Sequence, residues 1–188
     1  MAKAPKKNIG LWFIQNLKFI ILALILMIIF NDYVVRIILF IILGLIGIES
    51  IKITRFLPNI NLETIGATSI FLAYRYDWKI AALFSVVFGL VGFMKVSKLN
   101  LMSLMVIALN CLGGTLAQFL KIFGYKFELV FIMAMIIKNV ISIPVMQVVN
   151  PNIPKNIGHA IIDGFINVFL IIHFMSIINL VLDALHLY

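Results

Sequence analysis

Three polar residues recur at every fourth position in one apolar stretch: His159, Asp163 and Asn167. Helical periodicity stacks residues i and i+4 on one face, so the three form a polar stripe. A His-Asp pair at this spacing is friendly to a metal, but no second histidine and no HExxH pattern accompany it. The stripe therefore reads as a polar face turned toward other helices or a solute cavity, with no metal expected. Lys138, followed by Asn139, lies near the middle of another apolar stretch. An ammonium at membrane depth is costly and needs a carboxylate or carbonyl partner. Glu63 and Asp163 are the acids at comparable depth, and a structural ion pair and a solute-anchoring lysine both remain open.

Glu63 follows Asn59 by four residues, with Asn61 beside them. A carboxylate among amides suits a cationic or polar solute, or a proton. The alternative is a headgroup-level pairing with Arg55. Asn110 shares a face with Gly114, and Gly113 shares the neighbouring one with Ala117, which suits either close packing or a backbone-lined pocket. His173 lies six residues beyond Asn167 and reads as an internal hydrogen-bonding residue on a different face. The candidate solute-binding residues are thus Asn61, Glu63, Asn110, Lys138, Asp163 and Asn167. A nucleophilic Cys111 would need His159 or His173 as its base. No motif supports that pairing, and a buried cysteine usually behaves as a small apolar side chain. No catalytic residue and no cofactor are expected.

The elements that must position these residues are apolar helices. The chain has 188 residues, of which 64% are hydrophobic, and its mean hydropathy is +1.18. A soluble domain is only about half apolar. The expectation is an all-α, polytopic integral membrane protein, a single transmembrane domain over 1–188 with six to seven transmembrane helices. A net charge of +8 would suggest nucleic acid in a soluble chain. Here the basic residues fall mostly between apolar segments, where they fix orientation and meet lipid headgroups. Membrane lipids are therefore expected partners and nucleic acid is not. The single cysteine excludes an intramolecular disulfide.

Apolar segments are expected near 11–30, 33–51, 58–74, 78–94, 101–123, 127–146 and 157–185, after a short basic cytoplasmic tail over 1–10. The run 150–156, Asn-Pro-Asn-Ile-Pro-Lys-Asn, is read as the clearest loop. The segments over 58–74 and 78–94, joined by the turn Arg75-Tyr76-Asp77-Trp78-Lys79, form the hairpin around which the rest is organised. Ala81, Ser85 and Gly89 recur every four residues, and small side chains in a row let helix backbones approach closely. With Gly113 and Ala117 they are the candidate helix-packing or partner-docking residues. With seven spans, Lys3, Lys6, Lys7, Lys52, Arg55, Lys95, Lys98 and Lys155 share one side, against Arg75, Lys79, Lys121 and Lys126 on the other. The positive-inside rule then places the N-terminus in the cytoplasm of a multi-pass cell-membrane protein.

The hairpin LPNINLETIGATSIFLAYRYDWKIAALFSVVFGLVGF, the following LNLMSLMVIALNCLGGTLAQFL and the final IPKNIGHAIIDGFINVFLIIHF together resemble the substrate-binding membrane subunits (S components) of energy-coupling-factor transporters. The turn here is Tyr-Arg-Tyr-Asp-Trp-Lys rather than glycine-rich, and segment two has no clear match to the family's small-residue motif. The resemblance implies a non-enzymatic, solute-binding subunit of an uptake transporter, energised by partner proteins and taking a small polar solute. A structural or assembly subunit of a membrane complex is the alternative, since one fold can serve both. An intramembrane enzyme is a third reading.

Overall fold

The computed structural model describes Leu17, residues 21–22, 31–56 and 64–184, with the side chains of residues 31, 32, 55 and 56 left aside. The expected segment near 11–30 and the basic tail therefore lie almost wholly outside the described residues. So do Asn59, Asn61 and Glu63.

All regular structure among the described residues is helical. The helices are α1 (Asn31–Phe56), α2 (Ile65–Arg75), α3 (Trp78–Lys95), α4 (Leu101–Ile122), α5 (Phe127–Val149) and α6 (Ile153–Ile166). A π-helical turn (Asn167–Ile171) joins α6 to α7 (Ile172–Ala184). Five helical stretches are long and apolar enough to cross a membrane: Tyr33–Thr54 in α1, the whole of α3, α4 and α5, and the continuous Ile153–Ala184.

The short helix is the centre. Every residue of α2 from Ile65 to Ala73 is buried. It packs against α1, α3, α4, α5 and α7. Its glycine, alanines, threonine and serine leave little side chain on the side toward α4, so the backbones close up. Thr68, Ser69 and Ser85 are buried with it, and the Ser69 and Ser85 hydroxyls hydrogen-bond to each other across the α2–α3 contact. At 11 residues α2 is about 16 Å long, roughly half the hydrocarbon thickness of a bilayer. By contrast α6 packs chiefly on α5 among the described helices.

Local signals explain most helix ends. Asp77 caps α3, its carboxylate accepting from the Lys79 N–H at 3.0 Å. Asn100 and Ser103 form a capping box on α4, each side chain satisfying the other's backbone N–H. Gly124 takes a positive φ of 78° in the turn before α5, a conformation that only glycine adopts without strain. At the start of α3 the turn is also held by tertiary contacts. Arg75 pairs with Asp183, and the Arg36 guanidinium stacks 4.8 Å from the centre of the Tyr76 ring.

Several boundaries correct the sequence reading: α1 runs past the expected end at 51 to Phe56, and α2 begins at Ile65, inside the segment expected from 58. The loop expected over 150–156 is only three residues long, because α6 already begins at Ile153. Asn152 caps it, accepting from the Lys155 N–H at 3.1 Å, and Pro154 sits in its first turn, where no N–H is needed. Also, α5 does not stop near residue 146: it runs through Pro144 to Val149. Replacing Asn152 with alanine should lower stability by about 1 kcal/mol, whereas aspartate should hold it. Thermal unfolding followed by circular dichroism in detergent checks both variants.

Candidate functional site

A cavity of about 440 Å³ opens at the end of the bundle where α1, α3 and α5 finish and α4 and α6 begin. Its mouth is set by turns: Lys98 and Asn100 come from the α3–α4 connection, Lys155 and Asn156 from the first turn of α6. Its walls are helix faces. On α4, Met102, Val106 and Leu109 project into it at spacings of four and three, as one helix face requires. On α5 the same logic places Asn139, Ser142 and Met146 there, and on α6 it places His159 and Asp163.

The floor is polar. Lys138, the twelfth of the 23 residues of α5, is 7% exposed, and its Nζ lies 3.2 Å from Asp163 Oδ2. Asp163 Oδ1 accepts from Asn167 Nδ2 at 3.0 Å, and the same amide donates to the Asp163 main-chain carbonyl at 2.8 Å. The side chain thus competes for a carbonyl of the helical ladder, and the helix widens into its π turn from Asn167 onward. The Ile172 N–H then bonds back to the Asn167 carbonyl. Such turns recur at functional sites. Asn139 Nδ2 donates to the Ala160 carbonyl at 3.1 Å, tying α5 to α6 at the same level. Behind the floor α2 packs close to Asn110 and Lys138. A Cβ at Gly66 would stand 2.6 Å from Asn110 Oδ1 and 3.0 Å from Lys138 Nζ, so the missing side chain makes room for both.

Of the six candidate solute-binding residues, Asn110, Lys138 and Asp163 line this cavity. Asn167 supports Asp163 from behind; it is 2% exposed, and its Oδ1 is buried without a hydrogen-bond partner among the described residues. Asn61 and Glu63 lie outside the described residues. Of the two acids open for Lys138, Asp163 is the one within ion-pair distance among the described residues. Asn156, 4% exposed, extends the stripe of His159, Asp163 and Asn167 by one turn toward the mouth. The sequence pattern puts it in a loop, because a capping asparagine at 152 looks the same as a break. His173, expected inside, is instead exposed on α7 beyond the π turn. Cys111 is half-buried with its Sγ 3.8 Å from the Ala82 carbonyl, away from the cavity and from His159.

Ala81, Ser85, Gly113 and Ala117 are buried, and a Cβ at Gly89 would meet Ile107 Cγ1 at 2.7 Å. These faces are turned to this chain's own helices, and Gly113 lies against the Lys138 stem. A second polar group, Tyr74, Arg75, Lys121, Asn179 and Asp183, closes the opposite end of the bundle. There Ser176 also donates to Glu128 at 3.1 Å. Among the described residues no cluster of histidine, cysteine and acids is arranged to hold a metal ion.

In comparisons with known proteins, no family model, no curated protein and no solved structure matches this chain. Among the described residues the fold is all-helical and of membrane type, with a polar cavity between α4, α5 and α6 that reaches down to a buried ion pair.

Proposed function

We propose that the chain is a membrane-embedded solute-binding subunit of an uptake transporter, with the cavity between α4, α5 and α6 as its binding site and partner subunits supplying the energy. The observation that carries this reading is the cavity itself. It is of the size that holds small molecules, its described lining runs from the turns at one end of the bundle to mid-helix, and charged and amide side chains converge at its floor. An ion pair at mid-helix is expensive in a membrane protein and is normally found where a bundle interior or water-filled space uses it. The resemblance to the S components named above supports the same role here.

Native mass spectrometry of the protein purified in mild detergent tests the proposal. The wild type should carry a small molecule of reproducible mass. Val106→Trp, which fills the cavity, should lose it, and Val181→Trp, on the exposed face of α7, should keep it. A wild-type chain that is bare, or holds only lipid, and that no added small solute stabilises would reject the reading.

A further inference from the structure

We infer that the solute is a small organic anion, its acid group held by Lys98 and Lys155 at the mouth and its body extending past Val106 and Met146 toward Lys138. This inference rests on the solute-binding reading above and adds the chemical class.

The charges decide it. Three ammonium groups, from Lys98, Lys138 and Lys155, line the cavity against one carboxylate, that of Asp163. The described lining therefore carries a formal charge of 3 − 1 = +2 with His159 neutral. Asp163 is already engaged: Lys138 holds one oxygen and Asn167 the other. It neutralises Lys138 and leaves the excess on the two mouth lysines, neither of which makes an ion pair among the described residues. Like charges at the entrance of a cleft with low-dielectric walls focus the field and concentrate counter-ions there. A cation would cross this field only to meet a carboxylate whose oxygens are both in use. A neutral solute could accept a hydrogen bond from an ammonium group but would gain nothing from the field itself. The apolar wall of Met102, Val106, Leu109 and Met146 requires carbon in the body of the solute, which makes an organic acid a better fit than inorganic phosphate.

Two measurements on the full chain in phosphatidylcholine nanodiscs test this. One is chemical identification of the co-purified molecule. The other is thermal stabilisation by size-matched acids and amides: benzoate with benzamide, nicotinate with nicotinamide, and indole-3-acetate with indole-3-acetamide, alongside benzylamine. The expected results are a co-purified acid and a raised Tm with at least one acid but not with its amide. The acid's affinity should fall at least tenfold in the Lys98→Gln/Lys155→Gln double variant and stay unchanged in Lys126→Gln at the opposite end. Exposed lysines are chosen so that the variants fold. A co-purified neutral or cationic molecule, amides or benzylamine that stabilise as well as the acids, or an unaffected double variant would overturn the anion class and leave solute binding standing. No co-purified molecule and no response to any probe would overturn both.

Discussion

Asp163→Ala is expected to lower the stability of the protein by about 3–5 kcal/mol, the cost of breaking a buried ion pair from one side. The cost falls on Lys138. Its Nζ sits on the mid-section of α5, more than about 15 Å from either helix end by the 1.5 Å rise per residue, so its stem cannot carry the charge to a headgroup. Without the carboxylate the ammonium must either lose its proton or draw water down the cavity. Access to the cavity places the result toward the lower end of the range. Asp163→Asn keeps the shape and an acceptor but not the charge, so it should fall between alanine and wild type. The double variant Lys138→Met/Asp163→Leu removes both charges and should regain most of the lost stability, because well-packed apolar side chains replace buried ion pairs at little cost. Unfolding by SDS titration in mixed micelles reads all three. An Asp163→Ala protein within about 1 kcal/mol of wild type would mean that the pair does not form in the membrane.

The order of helices was legible because apolar runs broken by polar turns leave little choice to a chain in lipid, where each segment must satisfy its own backbone. The errors fell where a local device outweighed that pattern. Asn-Pro-Asn reads as a break, and it is one, but the asparagine at 152 is also a cap. It starts α6 four residues before the segment expected from 157. The segment expected to end at 146 contains Pro144 and runs on to Val149, because a proline costs one backbone hydrogen bond and a helix packed on both α4 and α6 survives that loss.

The site was legible residue by residue but not as a place. Lys138 and Asp163 each stand out as charges inside apolar runs, and the period of four aligns Asp163 with His159 and Asn167. Nothing in one sequence says that α5 and α6 lie side by side with these residues at the same depth. That follows from the very short connection at 150–152, which forces the two helices into an antiparallel pair. With the turn centred there, residues 138 and 163 are almost equidistant from it, thirteen and twelve residues away on either side of Pro151. The mouth lysines were legible only as topology signals. Lys98 and Lys155 looked like headgroup charges because their spacing to the cavity walls exists only once the bundle has formed. Orientation also depends on a part outside the description. The described ends carry Lys52, Arg55, Lys95, Lys98 and Lys155 against Arg36, Arg75, Lys79, Lys121 and Lys126. These are five on each side, with Arg36 in the second group because the turn of Tyr76 packs on it, so the expected excess rests wholly on Lys3, Lys6 and Lys7, which lie outside the described residues.

Gly114→Leu is the second large effect expected, and its size follows from what the new side chain would meet. A Cβ at Gly114 would stand 3.0 Å from Ala81 Cβ on α3 and 3.4 Å from the Ser69 carbonyl oxygen on α2. Neither neighbour can rotate away: one is a methyl fixed to the backbone and the other is the backbone. Alanine is already tight there. Leucine must separate α4 from α2 and α3 where the Ser69–Ser85 hydroxyl contact lies, and overpacking of this kind costs about 3 kcal/mol. The contrast with Gly44 is instructive. A Cβ there would overlap the Phe88 ring at 2.2 Å, a shorter distance, but that ring is a side chain that can swing, so Gly44→Ala should cost less than the geometry suggests. A Cβ at Gly158 would meet nothing within 4 Å, so Gly158→Leu should cost no stability. The consequence for the site is direct. Asn110 is one turn before Gly114 on α4, so a shift of that helix moves one wall of the cavity floor away from Lys138. Gly114→Leu should therefore lose both thermal stability and the bound solute, and Gly158→Leu should lose neither. If Gly114→Leu kept wild-type stability, the close approach of α2, α3 and α4 would be wrong, and with it the depth at which Asn110 and Lys138 meet.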